Sequence, residues 1–240
     1  MARVAKDVKE DKEVSSGVVA EISKDNRAAI EILKRSMNKK YGDGDQVFIT
    51  DYDMNLEGIP TGSAILDALI GNGGWAEGRV HEIHGQSGSG KSSIVTMTCA
   101  NALKKHPDKF ILYIDAEQAQ NFRYMKLLGL DMENDERILF TQVNSAEEAF
   151  DIINNAIKTG AFSLIILDSV PAIQTKREMS GDFTQETMAE KARFLSKSIP
   201  QLLKPLKRSN TTLIFVNQIR DKMDLWGGSV TPGNLYKSTT

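Results

Sequence analysis

An α/β fold built on a mainly parallel sheet is what this sequence predicts, and three observations predict it. Short apolar runs alternate with helix-like stretches from about residue 79 to residue 218. The runs Phe110–Asp115 (FILYID), Leu164–Asp168 (LIILD) and Thr212–Gln218 (TLIFVNQ) are apolar at consecutive positions, the mark of strands covered on both faces. One strand–helix junction reads Gly85-Gln86-Ser87-Gly88-Ser89-Gly90-Lys91-Ser92, the G-x-x-x-x-G-K-[ST] spacing of a phosphate-binding loop.

The elements follow in order. Residues 1–24 mix charges of both signs with few large apolar side chains, which predicts a disordered or loosely ordered segment. From Asp25 to Lys40 the spacing of Ile30, Leu33 and Met37 gives a helical apolar stripe, ended by Tyr41-Gly42-Asp43-Gly44. So short a helix needs its stripe docked, on its own core or on a neighbouring subunit. Residues 25–57 are therefore expected to form an N-terminal helix and linker for subunit contact, and residues 58–240 the core. Within the core, Arg79–His84 reads as a strand and Ser92–Lys104 as a helix. Phe110–Asp115 is a strand, Phe122–Leu128 a helix and Arg137–Val143 a strand. Ser145-x-x-Glu148 is a capping box that opens a helix to about Lys158. Leu164–Asp168 and Thr212–Gln218 are strands. Between them Met188 to about Lys207 is helical, with Pro200 and Pro205 expected to kink or break it.

Composition narrows the function classes. The chain has 240 residues, 40% hydrophobic and 26% charged, with a formal net charge of −2. No general basic field attracts nucleic acid, so any such binding must come from local patches or loops. The single cysteine, Cys99, cannot form an internal disulfide, which fits a reducing cytoplasm, and reads as a core residue. No signal peptide and no bilayer-length apolar run is visible, so no membrane partner is expected. His81, His84 and His106 lack any zinc-ligand spacing with cysteine and read as structural.

The chemistry concentrates around the glycine-rich loop. Its glycines let successive backbone N–H groups point at phosphate oxygens. Lys91 would reach the β- and γ-phosphates of ATP, and the Ser92 hydroxyl can ligate Mg²⁺. Gly85 to Ser93 form the expected nucleotide cradle. Asp168 ends an apolar strand at the edge where α/β folds bind ligands, and is placed to hold the same Mg²⁺. Many nucleotide hydrolases carry a glutamate directly after that aspartate. Here Ser169 follows, so the base must come from elsewhere, and Glu117, just past Phe110–Asp115, is the best candidate. Asn217-Gln218 ends another strand, where a polar amide can sense a γ-phosphate. The stretch after it, Arg220 to Gly228, holds Lys222 and Trp226, basic and aromatic groups suited to backbone contact and base stacking.

In this order, Thr61-Gly62-Ser63, Leu66-Asp67, Gly73-Gly74, Gly78-Arg79, Glu82-Ile83, the loop itself, Tyr113-Ile114-Asp115-Ala116-Glu117, Asp168-Ser169-Val170 and Ile214 to Arg220 resemble the bacterial RecA recombinase family. The resemblance runs from about Ala28 to Asn234. It implies a RecA-type P-loop NTPase core, a DNA-dependent ATPase acting in recombination and repair. It implies binding of single-stranded and double-stranded DNA and assembly into a homo-oligomeric helical filament. Glu117 then corresponds to the catalytic glutamate, Tyr124 to a tyrosine stacked on adenine, and Gln218 to a glutamine linking ATP state to a DNA loop. Glu178–Thr187 resembles the first DNA-binding loop, followed by Met188 and Arg193. Arg220 to Gly233 resembles the second, and residues 27–50 the segment that joins subunits.

The chain departs from the family pattern in several places. Asn121 replaces an aspartate near the base, the P-loop has Gln86-Ser87-Gly88 where Pro-Glu-Ser is usual, and the second loop looks shorter and carries Asp221 and Asp224. The family also continues past the position of Thr240 with further core strands, lysines that reach ATP across the subunit interface, and a C-terminal domain. Two other readings stand beside the recombinase. One is a truncated module that binds ATP, DNA or partner subunits with little turnover. The other is a small-molecule P-loop kinase, which would usually carry an Arg-rich lid that this sequence lacks.

Overall fold

The computed structural model describes residues 24–42, 56–180, 185–218, 220–221 and 229–230, with backbone alone at 24, 185–189, 220–221 and 229–230. The chain divides into two units, Met1–Met54 and Asn55–Thr240. In the first, α1 (Lys24–Tyr41) carries Asp25 in its first turn and Lys39 and Lys40 in its last, each favourable to the helix dipole. Ile30 and Leu33 of its predicted stripe are exposed.

The second unit is built on five parallel strands. They are β3 (Val80–Gly85), β4 (Phe110–Asp115), β5 (Ile138–Gln142), β6 (Phe162–Asp168) and β7 (Thr212–Gln218), in the order β3-β7-β6-β4-β5. The mainly parallel sheet expected from the sequence is what forms. Its central strand shows why the apolar runs are continuous. Leu164 and Ile166 of β6 face one apolar cluster with Val95 and Cys99 of α3 (Lys91–Lys105). Ile165 and Leu167 face the other, with Ile153 of α5 (Ala146–Thr159) and Leu195, Ile199, Leu202 and Leu206 of α7 (Gln185–Ser209). Period-two alternation puts every β6 side chain under a helix. Cys99 is buried within its cluster, and burial pushes its thiol well above the ordinary value.

The flanking helices follow their caps. Ser145 accepts a hydrogen bond from the Glu148 amide (3.2 Å), and the Glu148 carboxylate reaches back to the Asn144 amide (2.9 Å), one residue before the cap. Of the kink or break expected at Pro200 and Pro205, the break is corrected, since the helix spans both. Proline frees the carbonyl four residues earlier. These belong to Ser196 and Gln201, both exposed, so water can satisfy them, while the buried Leu/Ile stripe on the other face holds the helix to the sheet.

Several short elements lie outside the sequence expectations. These are α2 (Ala64–Ile70), the antiparallel ribbon of β1 (Gly58–Ile59) with β2 (Trp75–Ala76), and α6 (Lys176–Ser180). After β7, the two-residue strands β8 (Arg220–Asp221) and β9 (Ser229–Val230) pair antiparallel. Among the described residues no helix is long and apolar enough to cross a membrane.

Candidate functional site

The strand register gathers the site. Gly85 pairs with Gln218, Asp168 with Val216 and Asp115 with Asp168, so the carboxyl ends of β3, β7, β6 and β4 form one edge. The glycine-rich loop leaves β3 at Gly85 and enters α3 at Lys91. Gly90 sits at φ 88°, a conformation that favours glycine. At Gly85 a β-carbon would lie 2.8 Å from Ser89 Oγ, so a side chain there would make that hydroxyl turn away. Above it lies a cavity of about 230 Å³ lined by Ser87, Gly88, Gly90, Lys91, Ser92, Ser93, Glu117, Asp168, Val216 and Gln218. Gln86 and Ser89 belong to the same turn, with the Ser89 amide donating to the Gln86 carbonyl at 3.3 Å.

Lys91 is folded over its own loop. Its ammonium donates to the carbonyls of Gln86 (2.7 Å) and Gly85 (3.1 Å), contacts that a phosphate would compete for. Asp168 is buried, and its Oδ2 accepts from the Tyr113 hydroxyl (2.7 Å) and the Gln120 amide (3.1 Å). Ser92 also hydrogen-bonds this carboxyl. Burial pushes Asp168 above the usual carboxylate range, the Tyr113 and Ser92 hydrogen bonds oppose that, and the charges of Glu117 and Asp115 add to it. Among the described residues no set of three His, Cys, Asp or Glu side chains is arranged to hold a metal alone. The hydroxyl–carboxyl pair fits Mg²⁺ nonetheless, since that ion takes one or two carboxylates and fills its remaining positions with phosphate and water oxygens.

Glu117 stands across the cavity. Its Oε1 accepts from the Ser169 hydroxyl (2.5 Å) and from the Gln218 side-chain amide (2.7 Å), which leaves Oε2 for another partner. The turn that presents it is tied by Asp115, whose Oδ1 accepts from the amides of Glu117 (3.1 Å) and Gln118 (2.9 Å). Asp115 Oδ2 is buried with no partner among the described residues, and burial raises the pKa of this carboxyl. Gln218 is fixed from behind by the buried Asn217. The Asn217 side-chain amide donates to Glu82 (2.8 Å), and its carbonyl oxygen accepts the Gln218 amide (2.9 Å).

Tyr124 lies at the side of the loop, half-exposed, with its hydroxyl 3.1 Å from Ser93 Oγ. It is carried by α4 (Phe122–Leu127), and Asn121 caps that helix by accepting the Tyr124 amide (3.1 Å). The structure therefore brings Gly85 to Ser93, Glu117, Asp168, Gln218 and Tyr124 into one neighbourhood. Arg193 lies exposed on α7 and lines no part of this cavity. Met188 is in α7 and Arg220 in β8, with side chains outside the described residues, as are Lys222 and Trp226 entirely. His81 Nε2 donates to the Ala76 carbonyl (2.8 Å), and His106 meets Glu77 (3.1 Å). Both contacts lie away from the cavity.

The model of the RecA N-terminal domain matches residues 28–235. The chain belongs to the RecA N-terminal domain family. It is 34% identical over 208 residues to Protein RecA of Acholeplasma laidlawii, which covers 85% of this chain and 61% of that protein. It is 35% identical over 214 residues to Protein RecA of Nautilia profundicola, covering 87% and 60%. For Protein RecA of Aquifex aeolicus the values are 34% over 212 residues, 87% and 60%. The chain thus spans about 60% of the length of these curated RecA relatives.

Three residues of this RecA-type site escaped the sequence reading. Ser169 stands in the sequence as a position without glutamate and within Asp168-Ser169-Val170, with no role of its own. Tyr113 carries a faint signal, a hydroxyl inside an apolar strand. Gln120 carries none.

Proposed function

We propose that this chain is the ATP-hydrolysing, DNA-binding core of a RecA-type recombinase subunit. It acts in the cytoplasm, assembles as a helical filament on single-stranded DNA, and pairs that strand with homologous duplex DNA. The observation that carries this reading is the joint contact of Glu117 with Gln218 and Ser169 at the mouth of the glycine-rich loop. It puts the candidate base and the amide leading toward residues 220–230 in direct contact.

In this reading Lys91 leaves the Gly85 and Gln86 carbonyls for the β- and γ-phosphates. Ser92 and Asp168 would hold Mg²⁺, which when bound offsets phosphate charge. Glu117 accepts a hydrogen bond from the attacking water through Oε2 and takes its proton. The Gln218 side-chain amide gives one of its two hydrogens to Glu117 and has the other for a γ-phosphate, so the nucleotide's state is felt at the start of the following loop. Tyr124 stacks on adenine. Arg193, Met188, Arg220, Lys222 and Trp226 contact DNA, the cations on phosphates and Trp226 on bases.

The test is ATP turnover with and without single-stranded DNA, with sedimentation to detect filaments. Glu117→Gln should retain ATP binding and hydrolyse it slower by roughly 10² or more. Normal turnover in that variant would remove Glu117 as the base. DNA or subunit binding with no turnover would favour the non-catalytic module, and phosphoryl transfer to a small acceptor would favour a kinase.

A further inference from the structure

Strand β4 is apolar along its buried length except at Tyr113 and its terminal aspartate. The Tyr113 side chain is fully buried, and a buried hydroxyl needs a partner. It finds Asp168 Oδ2 at 2.7 Å, 55 residues away in sequence. Phe140 stacks on the Tyr113 ring at 5.7 Å with the planes 16° apart, and so holds the plane from which the hydroxyl points. Gln120, in the segment between β4 and α4, donates to the same oxygen at 3.1 Å. A carboxylate oxygen offers two lone pairs, and these two donors fill both on Oδ2. Both are neutral, so they orient the carboxylate without cancelling its charge.

We propose that Tyr113 and Gln120 are positioning residues of a divalent-cation site. They withdraw Asp168 Oδ2 and present Oδ1 alone to a cation shared with Ser92 and nucleotide phosphates. The proposal rests on the nucleotide-binding reading above. Its consequence is ion selectivity. Mg²⁺ demands near-octahedral geometry and keeps several waters, so a single-oxygen carboxylate suits it, whereas Ca²⁺ readily takes carboxylates through both oxygens. Freeing Oδ2 should loosen Mg²⁺ and let Asp168 grip Ca²⁺ with two oxygens.

The experiment compares wild type, Tyr113→Phe, Gln120→Leu and the double variant. A fluorescent ATP analogue is bound in EDTA, then in titrations with Mg²⁺ and with Ca²⁺. The expected result is unchanged metal-free nucleotide affinity and a half-saturating Mg²⁺ concentration raised by roughly 10-fold or more in the double variant, the scale for losing partners of a metal ligand. Half-saturating Ca²⁺ should move less, so the preference for Mg²⁺ narrows. A purely structural role would lower nucleotide binding in EDTA as well and leave the Mg²⁺-to-Ca²⁺ ratio unmoved, which would overturn the proposal. Gln120 is only half-buried, so Gln120→Leu remains a folded test if loss of the Tyr113 hydroxyl is not tolerated. Should wild type bind the nucleotide no better with a cation than without, the nucleotide-site reading itself fails. Cation-dependent wild-type binding with unchanged variants sinks only the roles of Tyr113 and Gln120.

Discussion

The two edges of the parallel sheet bury carboxylates in opposite ways. At the amino-terminal edge Glu77, just before β3, accepts from Lys105 (2.7 Å), His106 (3.1 Å) and Asn210 (2.9 Å), and Lys105 also meets Glu57 (2.9 Å). Burial alone would raise the Glu77 pKa, but the Lys105 and His106 hydrogen bonds and charges outweigh it and hold the carboxyl below the ordinary 4.5. At the carboxyl-terminal edge Asp115 and Asp168 are each 1% exposed and adjacent in register. Their hydrogen-bond partners are backbone amides, Tyr113, Gln120 and Ser92, all neutral. Burial pushes both carboxyls upward. A buried carboxylate that has its own cation fastens the fold. A pair that has none is a liability in the empty state, tolerated where a ligand supplies the missing charge.

The sharpest way to break this contrast is Asp168→Asn. The substitution removes an uncompensated buried charge while keeping shape. Cation-dependent nucleotide affinity should fall by roughly 10²-fold or more, above the scale for the ligand's own hydrogen-bond partners. Stability without nucleotide should be unchanged or higher, as expected where function holds a strained charge. Paired thermal melts and nucleotide titrations check it, and a clear loss of stability in the nucleotide-free protein would put Asp168 in the same class as Glu77.

Glu77→Gln should do the reverse. It leaves Lys105 and His106 without their shared acceptor charge and should cost about 1–3 kcal/mol. For a protein of this size that lowers the melting temperature by about 2–4 °C per kcal/mol. Nucleotide affinity should hold, because no atom of Glu77 lines the cavity. Denaturant titration gives the first quantity and fluorescence the second.

The pH dependence of that cost follows from sign. The folded pKa of Glu77 lies below its ordinary 4.5, so its contribution is present above that value. It is lost as pH falls through the folded value, because the unfolded chain binds the proton first. The stability gap between wild type and Glu77→Gln should therefore be full at neutral pH and shrink as pH falls below 4.5. A gap independent of pH would mean that the amide and packing contacts, rather than charge, hold this edge.

How much of this was legible in the sequence depends on the range of the contacts. The strands, the phosphate loop and the cap at Ser145 are local signals, read within a few residues, and the structure has them. Helix α2 was not legible, because AILDALI is apolar at six of its seven positions, with no alternation of polar and apolar faces to mark so short a run as a helix. A break at Pro200 or Pro205 does not occur, because proline's effect is local while the Leu195–Leu206 packing that overrides it is tertiary. Glu117, Asp168 and Gln218 could be singled out as polar groups at strand ends. Their holders could not, since Ser169 lies 52 positions from Glu117 and Gln120 lies 48 from Asp168. Only the order of strands in the sheet brings them together.

The smallest predicted effect concerns one of those holders. Ser169 supplies one of the two hydrogen bonds on Glu117 Oε1 and Gln218 supplies the other. A hydrogen bond to a charged group contributes about 1.5–3 kcal/mol, but Gln218 still orients the carboxylate when Ser169 is lost. Ser169→Ala should thus slow ATP hydrolysis by only about 3- to 10-fold, about 0.7–1.4 kcal/mol and so below that range. Nucleotide affinity should hold, since in the proposed reading the phosphates fall to Lys91 and the loop. Gln218→Ala should differ in kind, retaining ATP binding but losing the ATP-dependent gain in DNA affinity, because Gln218 alone of the two continues into residues 220–230. The pair separates aiming the base from reporting the nucleotide. If Ser169→Ala instead left turnover intact and lowered the melting temperature as Glu77→Gln does, Ser169 would be a fastening of the fold. The carboxyl-terminal edge would then share the character of the amino-terminal one.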